Sequence, residues 1–450
     1  MKAVARRLLP GAVLPLVDRI ESSPIASRLV RGTFWSLVGT VFARGLSVLS
    51  SIVAARQLGK VGFGEFGIIQ STMLSLSVVI SYGLGTTATK YIAEFRFSNP
   101  ARAGRIMALS GIVACAAGAS LSAGLAIIAP WLATRILAAP QLVKLLRVGA
   151  LFLFLSTLNG AQIGALSGFE AFRTVARVNL ITGIATFASM VGGVFLAGLT
   201  GMVWGLVISA GFGWLMGHLA VREEASKCGV TLTFRGIFGE IAILRNFSLP
   251  AILASALYGP VGWVCSAMLV NEPDGYAQMG IFNATIQWFA LVMFIPGLLG
   301  QVVLPMLSES VGAGDNARSR RILHLTMMVN ALVVAPLVLL LSVASPWLMS
   351  LYGDGYAHAW PVLVISLVTA GLLAVQSPVG QSLNAEGRLW TAYFMNLGWA
   401  VLFIGTNILL VKQGAGGLAS ARMAAYLFQT VVTALLVFRP YKRKLNAAGI

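Results

Sequence analysis

The octets NPARAGRI (99–106) and DNARSRRI (315–322) align without a gap at an offset of 216. Ala101, Arg102, Arg105 and Ile106 then meet Ala317, Arg318, Arg321 and Ile322. At the same offset Pro130, Trp131 and Leu132 meet Pro346, Trp347 and Leu348, while Gly198 and Gly201 meet Gly414 and Gly417. Upstream, at 213, VGFGEFGIIQST (61–72) pairs with DGYAQMGIFNAT (274–285). Downstream, at 217, Asn179 and Leu180 pair with Asn396 and Leu397. One such match is chance in an apolar chain. An ordered series at a nearly constant offset is an internal repeat.

Each repeat is strongly apolar. The chain has 450 residues, 10% of them charged, and a mean hydropathy of +0.86. A soluble domain needs a polar exterior and cannot be made from this composition. A membrane span needs ~20 mostly apolar residues. Such runs are expected at 33–55, 64–85, 106–129, 142–165, 177–198 and 201–221 in the first half. In the second they are expected at 248–270, 278–303, 322–345, 359–383, 390–411 and 416–438. The expected fold is therefore an all-α polytopic membrane protein of about twelve transmembrane helices. They form two six-helix bundles (31–221 and 248–438) related by a pseudo-two-fold axis along the membrane normal. A basic arm (1–30), a linker (222–247) and a basic tail (439–450) complete the organisation. Parallel repeats of this kind place a substrate site between the halves, near mid-membrane.

The formal charge is +18. Of the 32 Lys and Arg residues, 24 fall in the arm, the tail and the loops on the linker's side. By the positive-inside rule both termini are expected in the cytoplasm, and the protein in a bacterial inner membrane. The basic character is topological, and no nucleic-acid partner is expected. Pro10 and Pro15 interrupt the first apolar stretch, so no cleaved signal peptide is expected. Cys115, Cys228 and Cys265 imply no disulfide framework.

Two cations inside expected spans stand out as candidates. Arg44 lies mid-span, where an arginine costs ~2.5–3.5 kcal/mol on insertion scales and calls for compensation. It shares a helix face with Ser36, Thr40, Ser47 and Ser51, which reads as a wetted wall with Arg44 facing an anionic group. Close helix packing by the serines is the alternative. Arg422, beyond Gly416 and Gly417, is the second candidate. Gln70 and Asn283 are equivalent in the repeat, and Gln287 lies one turn beyond Asn283. Their amides donate and accept together, which suits sugar hydroxyls and equally suits interhelical bonds. Gly259, Pro260 and Pro296 fall in mid-span, where proline removes a helix hydrogen bond and makes a candidate hinge.

Carboxylates are absent from the span centres; Glu65 stands near a span's start, where it is a candidate cation ligand. No phosphate-binding loop of the G-x-x-x-x-G-K-[ST] type occurs. His218, His324 and His358 lack metal-ligand spacing. Neither enzyme chemistry nor a cofactor is expected.

The stretch ARQLGKVGFGEFG (55–67) resembles the R-x-L-G and G-F/Y-G pattern of bacterial polysaccharide transporters. YGLGTTATKYIAE (82–94), LSGFEAFRTVARVN (166–179), VVLPMLSES (302–310), LYGDGYAHAWPVL (351–363) and LNAEGRLWTAYFMN (383–396) extend the likeness over nearly the whole chain from about residue 30. The chain is thus similar to the Wzx-type flippases of the multidrug/oligosaccharidyl-lipid/polysaccharide superfamily. The resemblance implies two six-helix bundles in a V around a cationic cavity. It implies transport of a polyprenyl-pyrophosphate-linked oligosaccharide by alternating access, for surface polysaccharide such as O-antigen or exopolysaccharide. Arg44 then matches the family's frequent first-span cation. The implied partners are that glycan, membrane lipid, a glycan polymerase and glycosyltransferases.

Three other readings compete. A cation-coupled multidrug antiporter of the MATE type relies on embedded carboxylates. A membrane glycosyltransferase or polymerase wants acidic residues in an early periplasmic loop and one large periplasmic loop. A scaffold of a glycan-assembly complex has no sequence signature.

Overall fold

The computed structural model describes residues 24–241 and 257–438, with the backbone alone for 24–40, 78–84 and a few other positions. Most of the expected arm, part of the linker, the first residues of span seven and the tail lie outside the described residues. All described secondary structure is helical.

In the first half, α1 (Pro24–Phe95), α2 (Pro100–Trp131), α3 (Val143–Gly168) and α4 (Phe172–Lys227) follow one another. The second half holds α5 (Tyr258–Val270), α6 (Gly275–Gly312), α7 (Asn316–Val343) and the short α8 (Ser345–Ser350). It ends with α9 (Trp360–Ala385), α10 (Leu389–Leu410) and α11 (Gly414–Phe438). Seven described segments are long and apolar enough to cross a membrane. The protein is a multi-pass membrane protein.

Two helices are too long for one crossing. The 56 residues of α4 would measure ~84 Å at 1.5 Å per residue, against ~30 Å of hydrocarbon. The run breaks at Ala197 and Gly198 (φ 54°, ψ −133°), the last two residues of the expected span 177–198. Likewise α1 breaks at Gly59 (φ 67°, ψ −177°), a conformation that a side chain resists. That glycine belongs to the quoted ARQLGKVGFGEFG stretch.

The repeat recurs in the backbone. Gly414 has φ 68° and ψ −143°, close to its equivalent Gly198. Gly201 presses on the Gly193 carbonyl, and its equivalent Gly417 on the Leu410 carbonyl. Asn99 caps α2 by accepting from the Arg102 N–H at 3.0 Å, and Asp315 caps α7 by accepting from the Arg318 N–H at 2.9 Å. The octets that reveal the repeat are therefore helix starts, each with a side-chain oxygen satisfying an orphan donor.

Two boundaries differ from expectation. Helix α1 already begins at Pro24, within the expected arm, and α4 runs through Lys227, six residues into the expected linker. Lys227 Nζ reaches Glu223 at 2.6 Å and Glu224 at 3.0 Å, so good helix formers with i,i+4 and i,i+3 pairs carry the helix past the apolar run.

Small residues set the packing. Gly164 of α3 lies against the Gly85 backbone of α1, and Thr89 Oγ1 donates to the Gly164 carbonyl at 3.0 Å. The exterior carries large apolar side chains such as Leu196, Ile127 and Leu409, which suits lipid as solvent.

The halves meet at the end of the molecule that holds the Gly59 break. There α1 and α6 cross, with Gly64 on the Tyr276 carbonyl and Gly280 on the Lys60 carbonyl. Any Cβ at Gly64 or Gly280 would push the backbones apart. Tyr276 donates to the Leu137 carbonyl and Asn271 to the Ile136 carbonyl, each at 2.7 Å. Arg56 Nε donates to the Leu351 carbonyl at 2.6 Å, and Ser51 Oγ lies 3.1 Å from the Tyr352 hydroxyl. This end is sealed.

Candidate binding cavity

A cavity of about 390 Å³ lies between the halves, on the linker side of that crossing. Its first-half wall is one face of α1: Gly67, Gln70, Ser71, Leu74 and Ser75. Spacings of three and four put them in one stripe. Opposite stand Asn283 of α6, Tyr258, Gly259 and Trp263 of α5, Trp399 and Phe403 of α10, and Arg422 and Tyr426 of α11. The polar chemistry is amide, hydroxyl and one cation, set among aromatic rings and aliphatic side chains such as Met279, Ile286 and Leu418.

Arg422 is half-buried, its guanidinium 4.0 Å from the centre of the Phe289 ring and 5.9 Å from that of Tyr426. A cation over an aromatic face at this range gains ~0.5–2 kcal/mol, which offsets part of its desolvation. It makes no ion pair with any described residue, and no carboxylate lines the cavity among the described residues. The cavity is therefore positive, its one guanidinium engaged by the Tyr426 side chain but by no carboxylate among the described residues.

Asn283 is buried and packs against Gly67, where an added Cβ would meet its carboxamide at 2.9 Å. Its Nδ2 donates weakly, at 3.5 Å, to the Phe63 carbonyl. The repeat-equivalent Gln70 lines the same cavity. Two positions equivalent in sequence thus meet in space.

The aromatic wall is braced by polar contacts. Tyr258 OH donates to Asn396 Oδ1 at 2.7 Å, and Gln429 Nε2 donates to both groups at 3.2 Å. Trp399 packs tilted against Tyr258, with ring centroids 4.8 Å apart, and against Tyr426 at 5.4 Å, while its ring N–H is buried without a partner. Trp263 Nε1 donates to Thr72 Oγ1 at 2.8 Å, across the halves. None of these aromatics was singled out from the sequence. Their one signal is spacing: Trp399 with Phe403, and Arg422 with Tyr426, stand four apart on one helix face.

The other candidates lie elsewhere. Arg44 is exposed, makes no hydrogen bond or ion pair with a described residue, and does not line this cavity. Its expected stripe divides: Ser47 is exposed, Ser51 is buried at the sealed end, and the side chains of Ser36 and Thr40 are outside the described residues. Gln287 is half-buried and outside the cavity's lining. Pro260 stands in the first turn of α5, with Gly259 packed on Ser75 of α1; the upstream part of that span is outside the described residues. Helix α6 passes Pro296 unbroken. Glu65 accepts from Gln141 Nε2 at 2.9 Å at the sealed end.

A polytopic helical protein, built on a repeat around a central positive cavity, is a transporter by class. Residues 29–311 match the family model described as polysaccharide biosynthesis protein, and the chain belongs to that family of Wzx-type flippases. It is 24% identical over 402 residues to the EPS I polysaccharide export inner membrane protein EpsE of Ralstonia nicotianae, covering 88% of this chain and 91% of the relative. The fold is similar to the inward-facing conformation of a multidrug resistance MATE family transporter, with TM-score 0.71 and 14% identity over 88% of this chain and 93% of that one. It is equally similar to the lipid II flippase MurJ in an inward closed conformation, with TM-score 0.70 and 13% identity over 89% and 87% of the two chains.

Proposed function

We propose that the protein flips a polyprenyl-pyrophosphate-linked oligosaccharide across the bacterial inner membrane, for export as surface polysaccharide. In this reading twelve spans form two six-helix lobes (31–221 and 248–438) with both termini cytoplasmic, and the cavity alternates between the two faces. The observation that carries the reading is Arg422, a guanidinium without an ion pair among the described residues, in a cavity that sets amides and hydroxyls among aromatic and aliphatic side chains. A diphosphate cannot cross ~30 Å of hydrocarbon unaided, and such a cavity replaces its hydration. The guanidinium fork donates two parallel bonds to phosphate, and Gln70 and Asn283 offer donors and acceptors to sugar hydroxyls. Arg44 and Gln287 are secondary contacts, met as the substrate passes. The sealed α1–α6 end is periplasmic on the positive-inside reading, so the cavity in this conformation receives substrate from the cytoplasm.

The MATE-type antiporter reading draws on the shared fold alone, and no carboxylate lines the cavity among the described residues. The two are separated in a host deleted for the gene. Loss of surface polysaccharide with build-up of the lipid-linked glycan supports the flippase; unchanged polysaccharide with raised drug sensitivity overturns it.

A further inference from the structure

A second cavity, of about 670 Å³, lies within the first half at the linker end. It shares no lining residue with the cavity between the halves. Its walls are apolar helix faces, with Gly111 and Ala114 from α2, Ala161 from α3 and Val221 from α4. The chain leaving α4 folds back over it as a roof. That roof is fastened at three points. Val230 is buried, the Thr231 carbonyl lies on Gly104, and Glu240 is buried between two arginines of α2. Glu240 accepts from Arg102 Nε at 3.1 and 3.2 Å and from Arg105 at 3.3 Å. A buried carboxylate satisfied by two guanidinium groups makes this roof part of the fold.

His218 and Arg222 border the slot one turn apart on α4. Arg222 is exposed and makes no ion pair with a described residue. Its acidic neighbours are engaged: Glu223 and Glu224 hold Lys227, and Glu224 also accepts from Thr174 at 2.8 Å. Arg173 and Arg177 add positive charge at the start of the same helix. An apolar slot among membrane helices, with an unpaired guanidinium at its mouth, matches a lipid in both its parts.

We propose that this slot binds one anionic phospholipid from the leaflet on the linker side, its acyl chain under the roof and its phosphate on Arg222. The volume is that of a ligand site of ordinary size. Charge selects the headgroup, because a zwitterionic lipid would bring its own ammonium to a cationic rim. Free phosphate would leave the apolar slot unfilled. The proposal stands apart from the flippase reading, since its cavity and its readout are separate from transport.

The full chain, purified and delipidated, is given phosphatidylglycerol or phosphatidylcholine of the same acyl chains, and bound lipid is counted by native mass spectrometry. The expected result is one retained phosphatidylglycerol and weaker retention of phosphatidylcholine. Arg222→Ala weakens phosphatidylglycerol binding about five-fold, the worth of one cation near a headgroup. Gly111→Phe, at a position where an added Cβ meets open space, fills the slot and removes the lipid. Should Gly111→Phe fail to purify, Arg222→Ala at its exposed position decides alone. Equal retention of the two lipids by the wild type, or undiminished phosphatidylglycerol in Arg222→Ala, overturns the proposal.

Discussion

Arg44 and Arg422 are both arginines inside expected membrane spans, and the structure treats them differently. Arg422 lies over the Phe289 ring at 4.0 Å and lines the cavity between the halves. Arg44 is exposed, outside that cavity, and without a described partner. Placement within an apolar run, which sequence reports, is common to both. The surroundings across the helix differ, and beyond Tyr426 of the same helix they come from elements distant in sequence: α6 supplies Phe289, and α1, α5 and α10 line the same cavity. A guanidinium has five N–H donors, so one held by ring faces and the Tyr426 side chain keeps donors for a ligand.

That contrast predicts unequal costs. Arg422→Ala lowers polysaccharide export ten- to a hundred-fold at unchanged membrane abundance, the loss of a charge-assisted contact of roughly 1.5–3 kcal/mol. Arg422→Lys recovers part of it, because an ammonium keeps the charge but loses the fork. Arg44→Ala lowers export about five-fold, as suits a wetted cation worth ~1 kcal/mol. Export and abundance measured together check both variants. A loss in Arg44→Ala as deep as in Arg422→Ala would erase the distinction between them.

The smallest effect concerns the wall opposite Gln70. Pro260 stands in the first turn of α5, where proline is tolerated without breaking a helix hydrogen bond. Pro260→Ala is expected to change export less than two-fold, with no change in abundance, on the scale of an ordinary surface-level substitution. A larger fall in export at full abundance would restore the hinge suggested by the sequence.

Much of the architecture was legible because it rests on periodic features. Each expected span falls on helix to within a few residues, apart from the part of span seven outside the described chain. The octets marked helix caps, and Gly198 and Gly414 marked matching breaks. Gln70 and Asn283 were found by their equivalence, and both line one cavity. What was not legible depends on tertiary placement. Tyr258, Trp399 and Tyr426 look like lipid-facing rings in an apolar run, and only the packing of α5, α10 and α11 turns them inward. The Ser51 hydroxyl reads as a wetted position yet lies at the seal with Tyr352, since a stripe shows a shared face but not what covers it. Glu240 reads as a linker charge until the chain folds back onto Arg102 and Arg105.

The role proposed for Arg422 and its cavity is to carry a diphosphate-linked glycan across the bilayer. It is tested most directly in vesicles reconstituted with the full chain and a polyprenyl-pyrophosphate-linked glycan placed in one leaflet, with an impermeant lectin scoring the glycan that reaches the other. Wild-type protein is expected to move glycan well above the protein-free rate, and Arg422→Ala, equally reconstituted, to fall at least ten-fold toward it. Wild-type movement no faster than in empty vesicles, or an Arg422→Ala protein as fast as wild type, would contradict that role.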